Sequence, residues 1–103
     1  MSATLTINKT SEGEKLTLQV VGRVDTVTSP QLEEAIKESI SGVEELIFEL
    51  GELEYISSAG LRVLLSAQKI MNKQGEMILR GVSEEIMEIF EVTGFTDILT
   101  IEE

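Results

Sequence analysis

The chain has 103 residues, with 19 acidic and 8 basic side chains and a formal charge of −11. It contains no Cys and no His, which excludes disulfides, the common zinc clips, thiol nucleophiles and imidazole proton shuttles. So acidic a surface repels phosphate backbones, and nucleic acid is not an expected partner.

This length predicts a single domain spanning 1–103. With one Tyr, three Phe and no Trp, its core must be built from Leu, Ile, Val and Met. Met1-Ser2-Ala3-Thr4 lacks the basic and apolar regions of a signal peptide. No apolar run approaches the roughly 20 residues that cross a bilayer. The expectation is a cytoplasmic protein with no membrane insertion.

Thr4-Leu5-Thr6-Ile7 alternates polar and apolar residues and predicts a strand, and Ser11-Glu12-Gly13-Glu14 a turn. Lys15 to Val21 alternates again, with Leu16, Leu18 and Val20 on one face, so the first two strands form an antiparallel hairpin. Gly22 to Pro30 reads as a polar connection, in which Thr28 or Ser29 caps a helix and Pro30 opens it. Leu32, Ala35, Ile36 and Ile40 recur at helical spacing, and Ser41-Gly42 ends that helix. Glu45 to Leu50 is nearly continuous apolar sequence, the pattern of a central strand covered on both faces. Gly51 to Glu54 reads as a short connection.

A second helix is predicted from Ser58 to Asn72, burying Leu61, Val63, Leu64, Leu65, Ala67, Ile70 and Met71. Ser58, Arg62, Ser66, Lys69 and Lys73 share its outer stripe. Residues 55–75 carry no acid at all. Gly75 closes the helix, Met77 to Arg80 forms a strand, and Ser83 caps a third helix with Glu84 and Glu85 in its first turn. Ile86, Ile89, Phe90 and Thr93 face inward, Gly94 ends the helix, and Ile98 to Ile101 forms a last short strand or edge segment. The order β-β-α-β-α-β-α-(β) predicts an α/β fold: one mixed sheet, parallel beyond its opening hairpin, with helices packed against it.

The joint at Tyr55-Ile56-Ser57-Ser58-Ala59-Gly60-Leu61 is the candidate site. It is not a Gly-x-Ser-x-Gly elbow, and the chain has neither a phosphate-binding loop nor a dinucleotide fingerprint. A hydrolase using Ser58 would need a lysine of lowered pKa as its base. No catalytic residue, cofactor or metal is expected. Serine caps helices and Ala59-Gly60 permits close packing on a sheet, so the joint has a purely architectural explanation. Its functional explanation is a helix start that tolerates a phosphate, beside a basic stripe open to a partner. Asp25 is either a local turn residue or a polar contact at the same edge.

Gly22-Arg23-Val24-Asp25 with its following helix, and Tyr55 to Leu61 with the helix after it, together resemble the STAS domain, the family of sulfate transporters and anti-sigma-factor antagonists. The resemblance covers essentially the whole chain and implies a mixed sheet with helices packed against it. It implies an antagonist that binds an anti-sigma factor, itself a serine kinase, and so frees a sigma factor. The kinase uses ATP to phosphorylate a serine that falls at Ser58, breaking the complex, and a serine phosphatase restores it. The free antagonist is then a monomer. The loop residue that contacts the kinase falls at Asp25, and Ser57, Gly60, Arg62, Ser66 and Lys69 complete the partner-binding edge. The family's usual aspartate before the serine is Ser57 here, which makes Ser57 a rival acceptor. Its usual second serine is Ala59, and its aspartate near the end of the central strand is Glu49. The alternative role is a STAS subunit of a transporter-associated or stress-signalling assembly, with the same face as a constitutive interface.

Overall fold

The computed structural model describes residues 5–102. In order it contains β1 (Leu5–Glu12), β2 (Lys15–Val24), α1 (Ser29–Ser39), β3 (Glu45–Glu49), β4 (Leu53–Ile56), α2 (Ser58–Gln74), β5 (Glu76–Arg80), α3 (Glu84–Val92), a 3-10 turn (Phe95–Asp97) and β6 (Thr100–Glu102). The sheet order is β1-β2-β3-β5-β6, with β4 paired to β2. Among the described residues, only the β1–β2 hairpin is antiparallel. This is the mixed sheet with packed helices that the sequence pattern predicts.

Thr4, the expected start of the first strand, lies outside the described residues. β1 continues past Ile7 to Glu12, which shortens the turn to Gly13-Glu14. Gly13 has φ 60°, as a tight hairpin turn requires. In β2 the alternation holds: Leu16, Leu18 and Val20 are buried. The register aligns Leu16 with Leu46 and Met77, and Leu18 with Phe48 and Leu79. These side chains form one face of the core, with Leu32 and Ile36 of α1 and Leu61, Leu64 and Met71 of α2 joining them. Each such fully buried side chain contributes about 1.5–3 kcal/mol relative to exposure. Ile47 alternates to the other face and is buried as well, as expected for a central strand.

Two expected connections are strands instead. Residues 22–24 extend β2 and pair in parallel with Leu53–Ile56. A register shift falls between Gly22 and Arg23, and β4 buries only its end residues, Leu53 and Ile56. The bulge and the short length remove the alternation that marks a strand. β4 continues the line of β3 along β2, so β2 is paired on this side through its last residue, Val24.

The inward face of α2 also differs from expectation. Ile70 is 39% exposed and Leu65 half-buried, while Gln68 is buried. Ile70 lines a shallow groove between α1 and α2 with Ile36 and Val63. Gly75 ends α2 where a Cβ would collide with the Glu44 carbonyl, and Glu76 N–H donates to that same carbonyl at 2.9 Å. Thr93, expected inward, is exposed, and its hydroxyl donates back to Ile89 O at 2.6 Å. Among the described residues, no helix is long and apolar enough to cross a membrane.

Candidate functional site

β2 and β4 run parallel and end together. Arg23 pairs with Tyr55 and Val24 with Ile56, and Ser57 N–H donates to Val24 O at 2.8 Å. The loop after β2 and the joint before α2 therefore lie side by side at the C-terminal edge of the sheet. That geometry brings Asp25 to the edge that carries Ser57 and Ser58.

The two serines have different surroundings. Ser57 is the N-cap of α2 (φ −90°, ψ 175°), and its Oγ accepts the Gly60 N–H at 3.3 Å. Ser57 O takes Leu61 N–H at 2.9 Å. Ser57 is half-buried. Ser58 is the first helical residue and is exposed. The cap and the accessible hydroxyl are thus separate residues.

Gly60 was expected at the docking edge, but it is buried beneath it. A Cβ there would lie 2.6 Å from Val24 Cγ1 and 2.7 Å from Ile56 Cγ1. Its lack of a side chain lets the first turn of α2 sit on the ends of β2 and β4, so it shapes the edge from within. Arg62, Ser66 and Lys69 are exposed with Ser58 on the outer stripe, spaced as one helix face. Lys9, Lys37 and Arg80 all have acidic partners. Among the described residues, Arg62, Lys69 and Lys73 form no such pair.

Asp25 begins a closely bonded turn. Its Oδ1 accepts the Val27 and Thr28 N–H groups, each at 2.9 Å. Its carbonyl takes Ser29 N–H at 2.8 Å, and its own N–H donates to Thr28 Oγ1 at 2.8 Å. Thr28 Oγ1 is 2.8 Å from Arg23 O and 3.2 Å from Asp25 Oδ1. A hydroxyl has one proton, and the shorter contact assigns it to Arg23 O. Thr28 precedes α1 without capping it by its side chain; it ties the turn to β2 instead. The Thr28 amide holds the Asp25 carboxyl below its usual range, opposed by partial desolvation and helped by the Thr28 hydroxyl, the Val27 amide and the Arg23 charge.

Sequence reading does not single out two further features of this edge. The Arg23 guanidinium lies 4.6 Å from the Tyr55 ring centroid, a cation–π contact worth about 0.5–1 kcal/mol when exposed. Val27 is 85% exposed. The first follows from the β2–β4 register, and a missed strand hides it. The second follows from the turn that Asp25 builds.

The chain matches the STAS domain over residues 6–103. It belongs to the STAS domain family. It is 33% identical over 97 residues to the anti-sigma-B factor antagonist of Listeria monocytogenes, covering 90% of this chain and 83% of that protein. The crystal structure of an anti-sigma factor antagonist from Mycobacterium paratuberculosis superposes with a TM-score of 0.86 at 21% identity, over 95% of this chain and 85% of that one. The Bacillus cell fate determinant SpoIIAA, in its phosphorylated form, superposes with a TM-score of 0.72 at 17% identity, over 97% and 92%. These two structures share the fold.

Proposed function

We propose that this STAS protein is an anti-sigma-factor antagonist, a binding module whose docking edge is switched by phosphorylation of Ser58. The edge consists of Ser58, Arg62, Ser66 and Lys69 on α2 together with the loop between β2 and α1. It docks on an anti-sigma factor that is also a serine kinase, and a sigma factor is released. The observation that carries the choice of serine is the capping geometry: Ser57 Oγ is held by the Gly60 amide while Ser58 is exposed one residue on. The kinship with the Listeria antagonist supports the choice of partner.

Phosphate on Ser58 adds about −1.5 to −2 charges at the centre of the edge. In the complex that dianion must be desolvated against the kinase surface, and like-charge juxtaposition costs several kcal/mol, on the order of a thousandfold in affinity. The phosphate suits the start of α2, where free N–H groups and the dipole favour an anion, so modification ejects the partner without unfolding the domain. ATP belongs to the kinase, a serine phosphatase reverses the reaction, and the free antagonist is a monomer.

The test starts with tagged protein expressed in its native bacterium, with crosslinking and identification of what co-purifies. An anti-sigma kinase is expected. A transport ATPase or scaffold in its place would favour the constitutive STAS subunit. The purified kinase is then incubated with the protein and ATP, and the product is mapped by mass spectrometry. Phosphate on Ser58 is expected; phosphate on neither Ser58 nor Ser57 would sink the switch.

A further inference from the structure

We infer that Val27 is the apolar anchor through which this chain grips its anti-sigma kinase, and that Asp25 is a positioning residue acting through the Val27 loop; both assignments rest on the antagonist reading above. A single exposed valine is ordinary on a protein surface. Val92 is as exposed, at 84%, and lies on α3; Val27 stands on the docking edge itself, on a loop whose backbone is firmly held. Val27 is 85% exposed, yet its own amide and the next are held by Asp25 Oδ1, each at 2.9 Å. The amide after those is held by Asp25 O at 2.8 Å. Thr28 and Ser29, which follow it, are buried at 7% and 6% exposure. The turn is anchored in the fold and its apolar tip projects into solvent.

A loop fixed in this way loses little conformational entropy on docking. A small, rigid apolar group then fits an interface core, where anchors fill desolvated pockets and charges lie at the rim. The charge of the rim follows from the rest of the edge. Arg62 and Lys69 have no acidic partner among the described residues, on a chain whose net charge is −11. Arg23, two residues before Asp25, is stacked on Tyr55. The partner surface that fits is an apolar pocket flanked by carboxylates. Asp25 uses Oδ1 inside the turn, and its effect on binding is assigned to the shape of the loop it holds; Oδ2, which accepts no hydrogen bond among the described residues, is where a direct contact would form instead. An asparagine, which keeps the carbonyl acceptor and loses the charge, preserves that shape.

The test is calorimetric titration of the purified anti-sigma kinase, loaded with ADP, against wild type, Val27→Ala, Asp25→Asn, Asp25→Ala and the Val27→Ala/Asp25→Ala double variant. Thermal melts and amide NMR spectra report the folding of each. Val27→Ala is expected to keep the wild-type melt and to weaken binding about tenfold, the scale of an interface anchor. Asp25→Ala is expected to weaken it similarly, and the double variant no further, because both act on one contact. Asp25→Asn is expected to stay within about threefold of wild type, and Arg62→Glu to lose at least about tenfold against an acidic rim. Val27→Ala binding as tightly as a binding wild type overturns the anchor. Asp25→Asn losing as much as Asp25→Ala overturns the positioning role, since charge would then be what the kinase reads. Tighter binding by Arg62→Glu overturns the acidic rim. A wild-type protein that binds no anti-sigma kinase overturns the antagonist reading, and these assignments with it.

Discussion

Replacing Gly60 with alanine places a methyl group 2.6 Å from Val24 Cγ1 and 2.7 Å from Ile56 Cγ1. Carbon atoms rest at about 3.5–4.0 Å, so each contact must open by roughly 1 Å. Neither neighbour yields easily: Val24 is 0% and Ile56 3% exposed, and β-branched side chains are stiff at χ1. The relief must come from lifting the first turn of α2, which also stretches the 3.3 Å cap from Ser57. Overpacking of this kind costs about 1–3 kcal/mol, and alanine in place of glycine returns up to about 1 kcal/mol of helix propensity. The expected net loss is about 1 kcal/mol, or about 4–8 °C in Tm for a domain of this size. Urea unfolding followed by circular dichroism reads it as a lower midpoint at unchanged slope. Val24→Ala, which removes one of the two colliding atoms, costs about 2 kcal/mol by itself. Combined with Gly60→Ala it should lose less than the sum, by about 1 kcal/mol. A Gly60→Ala protein as stable as wild type, or a cycle additive within about 0.5 kcal/mol, refutes the close approach of α2 to the sheet.

Ser57→Ala should lose the cap, about 1 kcal/mol in urea unfolding, and still accept phosphate at Ser58. Ser58→Ala should stay within about 0.5 kcal/mol of wild type and take up no phosphate; the opposite pairing would reverse the assignment of the two serines. Asp25 has its folded pKa below the ordinary aspartate value of 3.8, so its contribution is present above that value and lost as pH falls through the folded pKa. Asp25→Asn should therefore flatten the acid limb of a Tm-against-pH profile. Glu44 is raised above 4.5 by the Glu14 side chain beside it, as hydrogen-bond partner and as like charge. Its contribution is present below 4.5 and lost as pH rises through the folded pKa, so Glu44→Gln should raise Tm at neutral pH and give no gain in acid. Tyr55→Leu should cost about 0.5–1 kcal/mol in urea unfolding, and that loss should vanish in an Arg23→Met background.

The elements with a strong period were legible in the sequence. Leu16, Leu18 and Val20 mark β2 by alternation, the run Leu46-Ile47-Phe48 marks a strand buried on both faces, and Leu61, Leu64 and Met71 mark α2. β4 was not legible, because four residues buried only at their ends carry no alternation and the strand itself is bulged at Glu54, which has no partner between the Gly22–Leu53 and Arg23–Tyr55 pairs. Ile70, expected inward, is exposed while Gln68 is buried, because the boundary of a helix face is set by which neighbour it meets. Ile70 meets the α1–α2 groove, and no count along the sequence reports that. At the site, the residue types were legible and their division of labour was not. Thr28 looks like a cap and ties the turn to β2, while Asp25 Oδ1 accepts the Thr28 amide ahead of the helix and leaves α1 without a side-chain cap. Of the two roles the sequence offers Gly60, docking edge and close packing on the sheet, the structure shows the packing.

The departure of this chain from its family's usual motif becomes intelligible at Ser57. The family's usual residue there is aspartate, and aspartate caps a helix about as well as serine. Either side chain offers an oxygen to the Gly60 amide, so the exchange leaves the start of α2 intact, with the acceptor now Ser57 Oγ at 3.3 Å. What changes is the charge. Serine removes a carboxylate one residue from the exposed hydroxyl of Ser58, on a helix with no acid in its first turn and Arg62 one turn further on. A dianion arriving at Ser58 thus meets a cap, a dipole and a cation, with no carboxylate beside it in the chain. The exchange is neutral for the fold and, on the antagonist reading proposed above, favours a phosphorylated Ser58.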